Sequence, residues 1–406
     1  MANPWSPETR IVRTPSAVKD LVLVGGGHTH VHVLKSFGLS PVPGLRITLI
    51  ARDADTPYSG MLPGFIAGHY THAQCHIDLR PLARFAGARL IHDEAIGLDL
   101  AEQRVSCRTQ AAVAYDIVSI DIGSTPHLSS TPGALQHATP VKPIDGLAAR
   151  WAKIVERTLD GRYAPRFLTV GGGAAGVELT LAMQYRLRAL LNGQGRDPDS
   201  ASFTLVTLGQ ILPSHNRLVR HWFHGHLKAR GVRVIENNAV SEVQHGVVVC
   251  ADGRRLDYDE LIWVTEAGAA SWLADSGLAL DNGGFIKIDA TLRSVSDPHV
   301  FAAGDVASNI EYPRPKAGVF AVRQGPPLDE NLRRAIAGEA LAPFVPQSKF
   351  LSLITIGDRY AVASRGWLAA QGRLLWYWKD WIDRSWMRQY QELPGRTVAS
   401  QAAGRE

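Results

Sequence analysis

The chain has 406 residues, 45% of them hydrophobic and 20% charged, which is enough for two or three globular domains. Its formal net charge of +5 comes from 43 basic and 38 acidic residues without a long run of one sign, and no RNA-binding motif accompanies it, so we expect no nucleic-acid partner. Residues 1–20 contain prolines and charges where a signal peptide would be apolar, and no charge-free apolar run reaches about 18 residues, so we expect a cytoplasmic protein.

A short apolar strand over residues 21–24 runs directly into Gly25, Gly26 and Gly27, and a helical stretch that includes residues 31–37 follows. Glycines there let the backbone turn sharply, so that a pyrophosphate can lie close to it at the positive end of the helix. His30 stands in place of the third glycine of this GxGxxG fingerprint and should keep helix and strand slightly further apart. Taken alone, the segment also fits an ordinary glycine-rich turn.

A complete copy of the fingerprint begins 146 residues later. Gly171, Gly173 and Gly176 lie between an apolar strand and a helical stretch over residues 177–191. Two such strand–turn–helix units in one chain predict two dinucleotide-binding sites. Glu178 follows the last glycine, where it either faces a bound nicotinamide or is a first-turn acid that favours the helix dipole.

The third element is an apolar strand from residue 300 that ends in Gly304 and Asp305. Ligands of open α/β sheets bind at the carboxyl ends of the strands, where a lone carboxylate can accept hydrogen bonds from polyol hydroxyls. Asp305 also fits the N-cap of a helix, and the two roles are compatible. The strand over residues 203–207 ends in Thr207, which favours neither NADH nor NADPH, so we expect weak discrimination between them.

The spacing of cysteine and histidine gives no sign of a redox-active dithiol or a metal site. The three cysteines are far apart without a CxxC pair, and Cys75 beside His76 is expected to be an inert thiol. Histidines 28, 30 and 32 lack a carboxylate or cysteine that would complete a tetrahedral set, and histidines 221, 224 and 226 fit surface or cap positions of a helix. We therefore expect no metal.

The order of the motifs, GGGHTH at residue 25, GGGAAGVE at 171 and FAAGD at 301, resembles the FAD-dependent pyridine nucleotide (disulfide) oxidoreductases, which include type II NADH dehydrogenases and sulfide:quinone oxidoreductases. Further segments are similar to the branch of this family that is fused to selenide, water dikinase: residues 56–64, 121–124, 140–144, 321–328 and 378–387. The resemblance spans about residues 19–394. It implies that hydride passes from NAD(P)H to FAD and that electrons then reach a quinone or another small acceptor.

The resemblance also implies roles for individual residues. Those implied to bind FAD are Gly25, Gly26, Gly27, Arg52, Tyr58, Ser59, Met61, Pro63, Gly304, Asp305 and Ala317. Those implied to bind NAD(P)H are Gly171, Gly173 and Gly176. Glu178, at the nicotinamide, and Lys316, as a positive charge that stabilises reduced flavin, are the implied catalytic residues. Ala51 stands where relatives have an acid for the ribose hydroxyls, and Asp53 is a substitute.

The motif order predicts an α/β fold with two doubly wound, Rossmann-like dinucleotide-binding domains, the second inserted in the first. We expect FAD to be bound by residues 19–145 together with 285–345, and NAD(P)H by residues 146–284. Residues 346–394 are predicted to form a segment that caps the flavin. Residues 1–18 and 395–406 are predicted to be disordered.

Three functions agree with these patterns. The first is an NAD(P)H dehydrogenase that reduces a quinone or a small electron carrier. The second, suggested by the branch fused to selenide, water dikinase, is a reductase that supplies reduced selenium or sulfur to a selenophosphate-forming partner. The third is a non-catalytic nucleotide-sensing flavoprotein, suggested by His30 and Ala51 at positions where the motifs differ from the usual pattern.

The tail over residues 371–393 fits an amphipathic helix on which Leu375, Trp378, Ile382 and Trp386 share a stripe. Such a helix either packs over the flavin domain or lies at the inner face of the membrane. Acidic residues dilute the basic face that anionic lipids would attract. We therefore expect packing, with peripheral membrane contact as the alternative.

Turnover should not depend on the cysteines. Replacing Cys75, Cys107 and Cys250 together by serine should leave NAD(P)H-to-dye turnover intact, because no pair has the spacing of a dithiol. The measurement is steady-state dye reduction by the flavin-loaded triple variant. Loss of dye reduction in a variant that still folds and holds flavin would contradict the prediction.

Overall fold

The computed structural model describes residues 18–394 with the exception of 127, 129, 161, 162 and 266. The predicted disorder of residues 1–18 and 395–406 concerns, except for residue 18, positions outside the described residues. Within the described part, strands and helices alternate along the chain, as an α/β fold requires.

The elements are numbered in chain order. The α-helices of the described residues are α1 (His28–Leu39), α2 (Leu62–Ile66), α3 (His72–Cys75), α4 (Leu79–Ala86), α5 (Ala134–His137), α6 (Ile144–Leu159), α7 (Ala174–Gly193), α8 (Arg217–Ala229), α9 (Gly318–Ala337) and α10 (Arg373–Gln391). The β-strands are β1 (Lys19–Val24), β2 (Leu45–Ala51), β3 (Asp55–Pro57), β4 (His76–Asp78), β5 (Arg89–His92), β6 (Ala95–Asp99), β7 (Arg104–Cys107), β8 (Val113–Ala114), β9 (Ile117–Ile120), β10 (Thr125–Pro126), β11 (Thr139–Pro140), β12 (Arg166–Val170), β13 (Ser202–Val206), β14 (Arg233–Ile235), β15 (Val240–Gln244), β16 (Val247–Cys250), β17 (Arg255–Asp257), β18 (Glu260–Trp263), β19 (Ala267–Gly268), β20 (Ile286–Ile288), β21 (Val300–Ala302), β22 (Ala307–Asn309), β23 (Ser352–Thr355), β24 (Ala361–Arg365) and β25 (Leu368–Gly372).

Five parallel strands form the first sheet, in the order β21, β9, β1, β2, β5. Residues 21–24 of β1 are all buried, so both faces of this strand are covered by other parts of the chain. This burial explains why the strand lacks an alternating polar pattern. Helix α1 packs against α4 and α9, which brings the start of α9 to the edge of the sheet where β1 ends.

A second sheet of five parallel strands repeats this plan, in the order β11, β18, β12, β13, β14. Each half of the molecule also contains a three-stranded antiparallel sheet, β6–β7–β8 in the first and β15–β16–β17 in the second. The strand–glycine–helix units are β1 with α1 and β12 with α7. The predicted α/β class with two doubly wound, Rossmann-like units is confirmed.

The chain returns to the first sheet after the second is complete. Strand β21 pairs with β9, although residues 139–263, which supply all strands of the second sheet, lie between them in sequence. The second unit is therefore inserted in the first. The domain boundaries proposed from the sequence, 19–145 with 285–345, 146–284 and 346–394, stay a prediction.

The C-terminal segment consists of the antiparallel sheet β23–β24–β25 and helix α10, which contacts β23, β24 and β4. Its buried face carries Trp376, Asp383, Met387 and Tyr390. The predicted stripe is wrong at Trp378, which is 45% exposed, whereas Trp376 is buried. Trp386 of the same stripe does pack inward, against Tyr58. No helix within the described ranges is both long and apolar enough to cross a bilayer.

Candidate functional site

Three glycines converge on one carboxylic acid at the edge of the first sheet. A Cβ atom added to Gly25 would overlap the main-chain oxygen of Asp121, and one added to Gly27 or Gly304 would overlap its carboxyl group. Gly25 and Gly304 also have φ values of +92° and +68°, in the left-handed region that favours glycine. Only glycine at these positions lets β1, β9 and β21 end so close to one another.

Asp121 follows β9 directly and caps the N-terminus of α1. Its Oδ2 atom accepts hydrogen bonds from the N–H groups of Thr29 at 2.9 Å and His30 at 3.2 Å. Burial raises the pKa of Asp121 to about 6, although His28 and the two N–H groups act in the opposite direction. The N–H groups of Gly26 and His28 have no partner among the described residues, so the turn still offers donors to a pyrophosphate.

His30, in place of the third glycine, ties the turn to the sheet. Its Nδ1 atom bonds with the carbonyl oxygen of Gly25 at 2.7 Å, and its Nε2 atom with the hydroxyl of Ser119 at 2.8 Å. Burial lowers the pKa of His30 to about 4, so the ring is neutral at pH 7. At the equivalent position of the second unit, a Cβ on Gly176 would overlap the carbonyl oxygen of Gly171. The first unit therefore accommodates a side chain where the second requires glycine.

Asp305 lies just beyond β21 and is held by two polar side chains. Its Oδ2 atom accepts hydrogen bonds from the ammonium of Lys142 at 2.7 Å and from the hydroxyl of Ser124 at 3.1 Å. Burial acts to raise the pKa of Asp305, but the interactions with Lys142 and Ser124 outweigh burial and the pKa is lowered. The ionised carboxylate keeps acceptor capacity for polyol hydroxyls.

The segment over residues 58–63 lies between the first turn of α1 and helix α10. The ring of Tyr58 stacks on Trp386 with centroids 4.3 Å apart, and His28 lies edge-on to both rings. The hydroxyl of Ser59 would be 2.9 Å from a Cβ placed on Gly318, the first residue of α9. Two more residues that the resemblance assigns to FAD are buried here: Met61 and Pro63. The structure thus brings this segment to the starts of α1 and α9.

Lys316 and Ala317 precede α9 on the wall of a cleft that also includes Asp305. The ammonium of Lys316 donates to the carbonyl oxygen of Ala307 at 2.6 Å and lies 3.9 Å from the centroid of the Phe285 ring. Burial lowers the pKa of Lys316. Because Ala317 is the N-cap of α9, the positive end of this helix also faces the cleft.

The predicted adenosine contact is less complete. Arg52 follows the end of β2, about half exposed, and its guanidinium binds the carboxylate of Asp53 at 2.5 Å. Ala51 is buried in the sheet. Asp53, the acid expected to replace the missing one at Ala51, is therefore already paired with Arg52, and a ribose hydroxyl would share its carboxylate with that arginine.

The second cradle faces open space. Gly173 is the N-cap of α7, and a Cβ added there would meet no heavy atom within 4 Å. Gly171 has a φ of +122°, again in the region that favours glycine. Thr207 follows β13 and is buried, with neither an acid nor an arginine side chain to discriminate between the two nicotinamide cofactors.

Glu178 faces the C-terminal segment. Its Oε1 atom accepts hydrogen bonds from the N–H group of Thr355 at 2.7 Å and from the hydroxyl of the same residue at 2.9 Å. Burial raises the pKa of Glu178, although Lys379 acts against burial. Lys379 donates to the carboxylate of Asp383 at 2.5 Å and to the carbonyl oxygen of Gly60 at 2.7 Å. Three ionisable groups that are buried or largely buried therefore lie together between α7 and α10.

One group of side chains among the described residues has the spacing of a metal site, and it was not expected from the sequence. It consists of His72, His76 and Asp145, whose ligand atoms lie within 4.8 Å of one another. Burial acts to lower the pKa of His76, but Asp145 at 3.2 Å and Cys75 outweigh burial and raise it to about 10. An ion pair accounts for this arrangement. Neither histidine group noted in the sequence forms such a cluster within the described ranges.

Five side chains that contact the predicted ones are absent from the sequence-based prediction: Asp121, Ser124, Lys142, Lys379 and Asp383. An acid directly after an apolar strand was the signal that identified Asp305, and the same signal applied to β9 finds Asp121. Lys379 and Asp383 are opposite charges four residues apart, and with Trp376 they indicate the buried face of α10.

Comparison with known proteins agrees with this geometry. A family model described as pyridine nucleotide-disulphide oxidoreductase matches residues 19–325. A NADH dehydrogenase-like protein of Mycobacterium tuberculosis is 26% identical over 310 residues, which are 72% of this chain and 74% of that protein. The type II NADH:quinone oxidoreductase of Haemophilus influenzae is 30% identical over 146 residues, which are 35% of this chain and 33% of that protein.

A solved structure shows the same fold. NDH2 from Plasmodium falciparum in complex with NADH superposes with a TM-score of 0.78 over 92% of this chain and 98% of that chain, at 16% identity. The finer resemblance to the branch fused to selenide, water dikinase is not tested by these similarities and stays a prediction.

A side chain at Gly27 should abolish flavin retention. In Gly27→Val the added atoms overlap the Asp121 carboxyl group, so the first turn of α1 has to move away from β9. The matched control is Gly173→Val, the equivalent N-cap of the second cradle, which should keep its flavin because no atom lies near the added side chain. The measurement is flavin absorbance per mole of protein after gel filtration. A folded Gly27→Val variant that remains yellow would refute this account.

FAD affinity should fall as pH rises through about 6, because Asp121 then ionises beside the turn that receives the pyrophosphate. Asp121→Asn keeps an acceptor for the N–H groups without the charge, so its affinity should be higher at pH 8 and nearly constant between about pH 5 and 7. Asp116→Asn, at the other end of β9, should keep the wild-type profile. Titration of the apoprotein with FAD measures all three, and identical profiles for wild type and Asp121→Asn would contradict the prediction.

Proposed function

The chain belongs to the pyridine nucleotide-disulphide oxidoreductase family, and on that premise we propose that it passes electrons from NAD(P)H through FAD to a quinone held in a membrane. Oxidoreductase activity with FAD and NAD(P)H follows from the family. The acceptor is the proposed part. It agrees with the name of the Haemophilus influenzae relative, a type II NADH:quinone oxidoreductase.

The observation that carries the proposal is that α10 has two different faces, one packed on the protein and one exposed. One face covers the segment proposed to lie beside the flavin, through the stacking of Trp386 on Tyr58 and the hydrogen bond from Lys379 to Gly60. The other face carries an outward stripe of large apolar and aromatic side chains that are 45–83% exposed: Leu374, Tyr377, Trp378 and Trp381. This helix therefore connects the segment proposed to lie beside the flavin with a surface suited to a bilayer.

The spacing of the outward stripe supports contact with lipid. Positions 374, 377, 378 and 381 follow the i, i+3, i+4, i+7 pattern of one helix face. Tryptophan and tyrosine favour the headgroup level of a bilayer, and an exposed apolar patch on a protein surface marks an interaction site. A quinone dissolved in the bilayer would approach the flavin beside this helix. From the sequence, packing and membrane contact of the tail are alternatives. We propose that both occur, with packing on one face of α10 and membrane contact on the other.

Site residues are assigned on the same premise. FAD, when bound, accepts hydride from the nicotinamide and releases electrons singly or in pairs, and this is the chemistry that it supplies. Gly25, Gly26 and Gly27 orient its pyrophosphate, and Asp305 its ribityl chain. Lys316 places a positive charge at the start of α9. A second set of glycines holds NAD(P)H: Gly171, Gly173 and Gly176.

Glu178 of α7 and Lys379 and Asp383 of α10 can bind and release the protons that quinone reduction requires, since it takes up two protons with two electrons. Burial raises the pKa of Glu178 and that of Asp383. Burial acts to lower the pKa of Lys379, but the carboxylates of Asp383 and Glu178 outweigh burial and the pKa is raised. These three groups can therefore hold protons beside the segment over residues 58–63, which Lys379 contacts at Gly60.

Removing tryptophans of the outward stripe should lower reduction of a membrane-held quinone but not reduction of a soluble dye. Trp378→Ser with Trp381→Ser should lower NADH-driven reduction of a long-chain quinone in liposomes by roughly tenfold or more, because two large apolar contacts with lipid are lost. Reduction of a water-soluble dye should stay at the wild-type rate. Leu135→Ser with Val295→Ser removes two other exposed apolar side chains and should change neither rate.

The same assays can overturn the proposal. Wild-type protein that reduces the dye but no quinone would exclude a quinone as acceptor. Equal reduction of the liposomal quinone by wild type and by the stripe variant would exclude membrane contact through α10.

A further inference from the structure

A second cleft, separate from the one beside Asp305, opens at the start of α10. Its walls come from residues 67–69 after α2, from α7, from the loop between β23 and β24, and from the first residue of α10. Three arginines line it, Arg186, Arg359 and Arg373, together with His69. None of the functions assigned above uses this cleft.

The three guanidinium groups are not neutralised by the protein. Within the described ranges, none of them forms an ion pair with a carboxylate. Asp358 is the one acidic residue on the wall, and it is already bound by Arg230 at 2.9 Å. The guanidinium of Arg359 instead lies 5.5 Å from the centroid of the Trp376 ring. Like charges in one cleft repel, and an anion with several oxygen acceptors relieves this repulsion.

The position of the cleft indicates where that anion comes from. Arg373 is the first residue of α10, and Tyr377, one turn later, belongs to the outward stripe. A bilayer that receives the stripe at its headgroup level therefore brings lipid phosphates to the height of Arg373. Guanidinium groups match phosphate oxygens in geometry and bind them in pairs of hydrogen bonds.

We propose that this arginine cleft binds the phosphate group of an anionic phospholipid, whose headgroup carries no ammonium beside the phosphate, and so fixes the protein on an anionic bilayer. The proposal rests on the membrane contact proposed above for α10. It adds a headgroup site to that contact. The stripe supplies apolar insertion, and the cleft supplies preference for negatively charged lipid.

Vesicle sedimentation tests the headgroup site. The flavin-loaded protein is mixed with vesicles of phosphatidylcholine alone or with phosphatidylglycerol added. Three variants are compared with wild type: Arg186→Gln/Arg359→Gln/Arg373→Gln for the cleft, Trp378→Ser/Trp381→Ser for the stripe, and Arg89→Gln/Arg104→Gln/Arg233→Gln as the charge-matched control. The control removes three exposed arginines that lie outside the cleft and form no ion pair within the described ranges. Flavin content and thermal midpoint show that each variant is folded.

The cleft variant should bind phosphatidylglycerol vesicles roughly tenfold or more weakly than the control, since it loses three basic groups that face the anionic surface. Its binding to phosphatidylcholine alone should match that of the control. The stripe variant should lose binding to both kinds of vesicle. This pattern supports the headgroup site.

Other outcomes overturn it in distinguishable ways. Equal loss in the cleft variant and the control excludes the headgroup site and leaves membrane contact through α10 intact. Failure of wild type to bind either kind of vesicle excludes both. If inorganic phosphate at millimolar concentration binds to wild type but not to the cleft variant, while the two sediment equally with phosphatidylglycerol vesicles, the cleft is a site for free phosphate and not for lipid.

Discussion

The edge of the first sheet at which β1, β9 and β21 end depends on the hydrogen bonds that the carboxyl group of Asp121 accepts from the first turn of α1. This carboxyl group joins the end of β9 to the start of α1 and leaves room only for glycine at Gly27 and Gly304, while the main-chain oxygen of Asp121 does the same at Gly25. The ends of three strands therefore cannot move independently. Because Asp305 at the same edge is bound to Lys142, the polar contacts continue from the first unit to the beginning of the second.

The sequence was sufficient for features that are encoded locally. Two strand–glycine–helix units, the insertion of one unit in the other and the cleft near Asp305 all follow from motifs within short segments, and the structure contains them. Asp121 fits the local signal that identified Asp305, an acid directly after an apolar strand. The partners of Asp121 and Lys142 lie far apart from them in sequence, so these contacts do not follow from a local pattern. His30 shows the same limit, because a missing glycine indicated looser packing, whereas its ring forms two hydrogen bonds that tie the turn to the sheet.

Helix α10 shows why the phase of an amphipathic helix is difficult to obtain from apolar residues alone. Counting tryptophans placed Trp378 on the packed face, but a buried ion pair decides the rotation of the helix. The side chains of Lys379 and Asp383 are only 13% and 6% exposed. They can be buried only where the carbonyl oxygen of Gly60 accepts a hydrogen bond from Lys379 and the hydroxyl of Tyr58 donates one to Asp383. Once their position is set, Trp376 turns inward and the side chains at 377, 378 and 381 turn outward. The polar pair thus determines which aromatic side chains meet the solvent.

The pairing of β21 with the first sheet also determines the order in which the two units can fold during synthesis of the chain. All strands of the second sheet lie within residues 139–263, so this unit can close as soon as that stretch has left the ribosome. The first sheet has no partner for one edge of β9 while residues 121–299 are being made, and an unpaired edge is a template for association with other chains. The enclosed unit therefore matures before the unit that encloses it, and the nascent chain needs protection at its earlier half rather than at its later one.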